Sequence, residues 1–294
     1  DGAGSIRIPA ALCGVFGFKP SLGRVPYWPN PDLWAARSHN GPLSRTVRDA
    51  ALMLNAIAGP DPRDPVSLDG PIPDYLAACS ESPSRPWRVA WSVDFGYAPV
   101  EQEVRQLTRA AALRFSELGC VVEDATPGWE NPAGWASLLW DYQTYIRNAD
   151  RLAQKPEWFE PSMLEQMDRG GRATAAQVGQ AILARTTFYE QARRFIEPYD
   201  LLLTPVMPLG AWSVSEPPAT IDGRATPTLF DRLPFTFPWN LTGWPAASVP
   251  CGFTSEGLPI ALQIVGKWRD DLTVLRAAAA FETLQPWAAR RPPV

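Results

Sequence analysis

The chain of 294 residues has one histidine and three lysines (Lys19, Lys155, Lys267), and this scarcity removes several chemistries at once. A Ser-His-Asp triad would have to use His39. That residue lies in the loop-like string Ser38-His39-Asn40-Gly41 and reads as surface decoration. The four cysteines (Cys13, Cys79, Cys120, Cys251) form no Cys-x-x-Cys pair. With a single histidine they make no metal-ligand set, so neither a metal nor a cofactor is expected. They read as free, mostly buried thiols of a reducing, cytoplasmic compartment. The sequence also lacks a Gly-Lys-Ser/Thr phosphate loop and any Ser-x-x-Lys. It lacks an apolar run of ~18 residues, so no membrane span is expected. Positive charge is in short supply too. A net charge of −4 and a pI near 5.2 argue against nucleic acid as a partner, since a phosphate-tracking surface is basic.

What is present is enough for a large core: 46% of residues are hydrophobic and 20% charged. No linker-like stretch divides the chain, so residues 1–294 read as one domain. The layout alternates. Thr46 to Ala58 carries an apolar stripe at Val47, Ala50, Ala51, Leu54, Ile57 and Ala58, begun by Thr46-x-x-Asp49 and stopped by Gly59-Pro60. Val89-Ala90-Trp91 reads as a strand, Glu101 to Leu118 as a helix ended by Gly119, and Val121-Val122 as a strand again. Strand, helix, strand is a βαβ unit and makes a parallel pair. Cys120 reads as a core residue of that second strand. Ala175 to Ile196 reads as a long helix and Leu201 to Leu203 as a strand. Ala247 to Val249 and Ala261 to Val265 read as buried strands, and Leu272 to Leu284 as a closing helix capped by Asp270 or Asp271. Pro60 to Pro65 and Pro71 to Pro73 are proline punctuation in loops. The expected class is α/β, a mixed and largely parallel sheet with helices on both faces.

The chemistry concentrates at the start. Asp1-Gly2-Ala3-Gly4-Ser5 places a serine at the end of a glycine-rich turn. Glycine lets the backbone turn tightly and aim N–H groups at one point. A hydroxyl beside converging N–H donors is the minimum equipment for acyl transfer: the oxygen attacks a carbonyl, and the donors hold the resulting oxyanion. Asp1 and Arg7 flank this serine in an apolar segment. Buried charges must pair, so they read as braces of the turn. The alternative is Arg7 as a clamp for a substrate carboxylate.

The longer string Asp1-Gly2-Ala3-Gly4-Ser5-Ile6-Arg7-Ile8-Pro9-Ala10, with Cys13-Gly14, Lys19-Pro20 and Gly23-Arg24, resembles the amidase signature family. Further blocks follow in family order: Gly41-Pro42-Leu43-Ser44-Arg45, Asp200 to Pro205, Phe235 to Gly243, Pro245 to Pro250 and Gly257 to Gly266. The resemblance implies a Ser–cis-Ser–Lys triad with Ser5 as nucleophile, and an oxyanion hole at Gly2, Ala3 and Gly4. It also implies that the lysine and the cis-serine lie upstream of Asp1. On that reading the chain is the C-terminal part of a longer enzyme, inactive without its N-terminal segment. Lys19 belongs to the Lys-Pro block and reads as structural, Lys155 as a loop residue, Lys267 as a surface charge.

Ala3 replaces the usual glycine. It is expected at negative φ, because its methyl would cost roughly 1 kcal/mol or more in the left-handed region. By the same resemblance, Trp135 to Arg147 and the Phe235 to Trp239 turn lie near the acyl site. Trp140, Tyr142 and Trp239 are the aromatic candidates for its walls, or else plain core. The implied activity is hydrolysis of a linear carboxamide to acid and ammonia or amine through a Ser acyl-enzyme. The alternatives are the A-type component of an amidotransferase and, from another class, a catalytically incomplete binding or scaffold fragment. A small-molecule amide is the expected partner, and a homodimer a possible assembly.

Overall fold

The alternating apolar runs and amphipathic stretches build a layered structure. The computed structural model describes residues 1–30, 37–216 and 218–291. Its first half contains α1 (Arg7–Cys13), β1 (Phe16–Lys19), β2 (Leu43–Ser44), α2 (Val47–Ile57), α3 (Tyr75–Ala78), β3 (Arg88–Trp91), α4 (Gln102–Leu113) and β4 (Val121–Asp124). Three helices follow, α5 (Ala133–Gln154), α6 (Pro161–Gly171) and α7 (Ala175–Ile196). The remainder is β5 (Leu201–Pro205), a hairpin of β6 (Thr220–Ile221) and β7 (Arg224–Ala225), α8 (Leu229–Arg232), α9 (Pro238–Thr242), β8 (Ala246–Phe253), β9 (Pro259–Gly266) and α10 (Asp271–Leu284).

One seven-stranded mixed sheet has the order β2-β1-β8-β9-β5-β3-β4. Parallel pairing is confined to β5, β3 and β4. The pairings β2–β1, β1–β8, β8–β9 and β9–β5 are antiparallel. The parallel part contains the strand–helix–strand unit of residues 88–124. Its helix tightens into a 3₁₀ turn at Arg114–Leu118 and ends at Gly119, φ 78°. Cys120 lies one residue before β4 and is buried; Cys251 is buried, Cys79 half-buried and Cys13 exposed, all four as free thiols.

Helices cover both faces. Gly17 on β1 pairs with Ser248, which pairs with Gln263, so all three point to one face. A Cβ on Gly17 would sit 2.6 Å from the Ala10 methyl of α1. Gly266, three residues beyond Gln263, points to the opposite face, where a Cβ would sit 2.5 Å from Val274 of α10. The glycines therefore let one helix press on each side of the sheet.

Two caps act as the sequence predicts: Thr46 accepts the Asp49 N–H and Asp270 the Thr273 N–H. Thr174, which the sequence reading did not single out, forms a capping box with Gln177. The core is rich in aromatic rings. Phe95 packs against Trp129, Phe235 and Trp239, and Trp239 stacks on Trp244 at 6.0 Å. Among the described residues no helix is long and apolar enough to cross a membrane. Nor do three or more potential metal ligands cluster there.

Candidate active site

Ser5 lies in the turn that leads into α1, and its side chain is exposed while Ala3, Gly4, Ile6 and Arg7 around it are buried. Gly4 sits at φ +140°, a conformation that side chains rarely adopt. A Cβ there would lie 2.7 Å from Thr236 Oγ1 and nearer still to Ile8 Cδ1. Non-glycine residues at positive φ are, among the described residues, Phe95, Asp222 and Arg269. Ala3 thus holds negative φ, as expected. Two carbonyls of the turn are engaged: Thr236 Oγ1 donates to Ala3 O (2.6 Å) and Ile8 N–H to Gly4 O (2.7 Å). The N–H groups of Gly2, Ala3, Gly4 and Ser5 donate to no acceptor among the described residues.

Asp1 and Arg7 hold this turn from beneath. Their side chains form a fully buried ion pair at 2.8 Å. Asp1 Oδ2 also accepts the N–H groups of Ile6 (3.2 Å) and Arg7 (3.4 Å). A guanidinium has five N–H donors, and each one of Arg7 is used. Nε and Nη2 reach Asp1 (3.0 and 2.8 Å), and Nη2 also reaches Asn240 Oδ1 (2.7 Å). Nη1 reaches Thr236 O and Gln263 Oε1, both at 2.8 Å. No donor is left for a substrate carboxylate, so the geometry favours the brace over the clamp.

Asn240 extends the brace. Its amide donates to Asp1 O (2.7 Å), Asp1 Oδ1 (2.9 Å) and Arg37 O (3.1 Å). His39 N–H donates to Asp1 O (2.9 Å) and the Asp1 nitrogen to His39 O (2.7 Å), so residues 37–40 form a short strap over the start of the turn. His39 itself is not surface decoration: it is 3% exposed, because this ladder draws its loop into the interior. Burial, with Lys19 and Arg7 as positive neighbours, holds its pKa well below 6.5, so the ring is neutral. Nδ1 lies 2.8 Å from Arg37 O, and a carbonyl only accepts, so Nδ1 carries the proton. Nε2 is buried with no partner among the described residues.

Lys19 is fully buried. Its Nζ donates to Pro20 O (3.2 Å) and Trp244 O, and burial pushes its pKa down. Lys267 Nζ donates to Glu197 O (3.0 Å), and Lys155 caps the C-terminus of α5.

The three aromatic candidates separate. Trp140 of α5 is half-buried and lies directly against Gly2, where an added Cβ would meet its ring at 3.2 Å. Phe230 contacts it edge-on (5.9 Å), and the Arg37 guanidinium lies 4.9 Å from its centroid while hydrogen-bonding Gln143. Tyr142, two residues further along the helix, points about 200° around the axis from Trp140. No hydrogen bond or ring contact among the described residues joins it to the turn. Trp239 is corrected from wall to core: it is 0% exposed, enclosed by Phe95, Trp129 and Trp244.

Four residues of this network escaped the sequence reading as site residues: Thr236, Asn240, Gln263 and Arg37. The first three stand inside the quoted blocks, and Gln263 is a polar residue within an apolar strand. A buried amide there must find partners, and that was the available signal.

The geometry is thus an exposed hydroxyl on a braced glycine turn, backed by a mixed sheet. Residues 1–275 match the protein family described as Amidase, and the chain belongs to that family. The chain is 37% identical over 298 residues to the acylamidase of Rhodococcus erythropolis, covering 99% of this chain and 62% of that protein. It is 34% identical to the A component of the glutamyl-tRNA(Gln) amidotransferase of a Synechococcus strain, covering 99% of this chain and 64% of that protein. A solved bacterial aryl acylamidase of the amidase signature family aligns with a TM-score of 0.87 at 32% identity, over 100% of this chain and 64% of that one. The chain thus spans between three-fifths and two-thirds of the length of these relatives.

Proposed function

We propose that this chain carries the nucleophile of an amidase. Ser5 attacks the carbonyl of a linear carboxamide, ammonia or an amine leaves, and water releases the acid from the Ser5 ester. The observation that carries this reading is the exposed Ser5 on a turn whose N–H groups at residues 2–5 donate to no acceptor among the described residues while the Ala3 and Gly4 carbonyls are engaged. Gly2, Ala3 and Gly4 then supply the oxyanion donors. Losing one such donor costs about 2.7–4 kcal/mol of transition-state stabilisation in comparable sites.

The proton acceptor is assigned to residues outside this chain, as the Ser–cis-Ser–Lys arrangement of the resemblance requires. Lys19 and Lys267 hold backbone carbonyls, which supports that assignment. Trp140 beside Gly2 supports a substrate with an apolar or aromatic group next to the amide, and similarity to an acylamidase and an aryl acylamidase is consistent with it. The 34%-identical amidotransferase component supports a second reading, in which the amide nitrogen passes to a partner's substrate.

The test uses an activated aryl ester and an aryl amide. The protein extended to its upstream lysine releases a stoichiometric burst of phenol and then turns over the amide without partner proteins. Ser5→Ala removes the burst and leaves thermal unfolding unchanged, because the side chain is exposed. A burst that survives Ser5→Ala rejects the nucleophile assignment. Amide turnover only in the presence of added partner proteins selects the second reading.

A further inference from the structure

A small cleft of about 150 Å³ lies between loops that flank the parallel strands. Tyr97, Ala98 and Pro99 on its rim come from the connection after β3, Asn131 from the one after β4, Arg224 from β7, Thr226 from the residues after it and Asp231 from α8. In open α/β sheets the loops diverge beyond the carboxyl ends of the strands, and ligands settle in the crevice between them. None of the lining residues belongs to the Ser5 turn.

The charges around this cleft are not paired with one another. Arg224 is presented by the β6–β7 hairpin, whose two-residue turn, Asp222-Gly223, holds both residues at positive φ (48° and 72°). Such a turn fixes the strand that follows it. The guanidinium reaches across to Tyr97 O at 3.4 Å and meets no carboxylate among the described residues. Arg24, Arg85, Arg105 and Arg109, by contrast, are all in ion pairs. Asp231 lines the same cleft. Its Oδ2 accepts the Thr228 N–H (3.0 Å) and hydroxyl (2.5 Å), while its Oδ1 accepts no bond among the described residues. Asn131 accepts the Ala133 N–H on Oδ1, which leaves its Nδ2 hydrogens as donors. One cleft therefore offers a cation, an amide donor and a carboxylate oxygen, each with unfilled capacity.

We propose that this cleft binds a small zwitterion of the α-amino-acid class, its carboxylate on Arg224 and Asn131 and its ammonium on Asp231. A simple anion engages only the guanidinium and the amide, and a simple amine only the carboxylate. Charge-assisted hydrogen bonds at both ends give the selectivity. The inference goes beyond the Ser5 reading and does not depend on it.

Titration calorimetry on the purified chain tests it with L-alanine, acetate and ethylammonium as probes. Alanine binds at least about fivefold more tightly than either half-molecule, and added salt weakens it. Arg224→Gln and Asp231→Asn each weaken alanine binding by about five- to tenfold. Ser5→Ala leaves it unchanged, which separates this site from the acylation centre. If Asp231→Asn disturbs the cap of α8, the exposed Arg224→Gln decides alone. Equal affinity for alanine and acetate overturns the proposal. So does an absence of binding heat at tens of millimolar, or full alanine affinity in Arg224→Gln.

Discussion

Arg7→Lys isolates what the buried guanidinium does. The substitution keeps the charge, so the Asp1 carboxylate retains a counter-ion. It replaces five fixed donors with three on a flexible stem. Arg7 serves Asp1, Thr236 O, Asn240 Oδ1 and Gln263 Oε1. An ammonium near Asp1 leaves at least two of these acceptors unmatched in a fully buried site. An unsatisfied buried polar group costs about 1–3 kcal/mol, so the loss is about 2–6 kcal/mol. In a protein of this size each kcal/mol moves the midpoint by about 2–4 °C. Thermal unfolding followed by calorimetry should therefore drop by roughly 5–20 °C, with acyl transfer falling at temperatures where the variant is still folded. The reasoning fails if Arg7→Lys melts within about 2 °C of the parent and only raises KM for amides that carry a carboxylate. That pattern would mean Arg7 reaches the substrate.

Three further outcomes follow from the same geometry. Gly4→Ala places a methyl against Thr236 and Ile8 at φ +140°, so the variant should lose about 1–3 kcal/mol of stability and its burst activity; an active, parent-like variant would contradict the strain. His39 is held neutral by burial and by Lys19 and Arg7, so the unfolded chain takes up a proton that the folded chain refuses. Its contribution to stability is full above about pH 6.5 and declines as the pH falls, by up to about 1.4 kcal/mol per pH unit. The chain has one histidine, so the difference between parent and His39→Gln urea midpoints isolates this slope; a flat difference between about pH 6.5 and 5 would count against it. Trp140→Ala should raise KM for aryl amides by about tenfold and leave KM for acetamide within about twofold, as expected for one removed apolar wall; equal effects on both would place Trp140 outside the substrate's reach.

Much of this arrangement was legible before the structure. Where a helix has one buried face and a cap, as α2 does behind Thr46, its period and its ends could be read directly. That Asp1 and Arg7 must each find polar partners around the turn followed from the cost of burying a lone charge; that they pair with each other came from the structure. Elements covered on more than one side were less visible. α5 packs against α6, α7 and α8, and its fully buried residues, Ala133, Ala136 and Leu139, all fall in its first third. α1 has seven residues and a proline in its first turn, too short for a period to emerge. Outside the strand–helix–strand unit of β3 and β4 the direction of the strands was also hidden, since an apolar run looks the same either way; the β8–β9 hairpin shows itself only through Gly257 in its turn. His39 was misread because loops usually lie outside, and only its ladder with Asp1 pulls it in. Among the tryptophans, nothing local distinguishes Trp140 beside the turn from Trp239 in the core.

The groups that Arg7 grips come from residues 1, 236, 240 and 263. They are remote along the chain and meet only when the sheet is complete. The Ser5 turn therefore shares its stability with the whole fold. Under the proposed reading, a change in what the protein accepts is expected at Trp140, which is half-buried beside Gly2 and outside the Arg7 network.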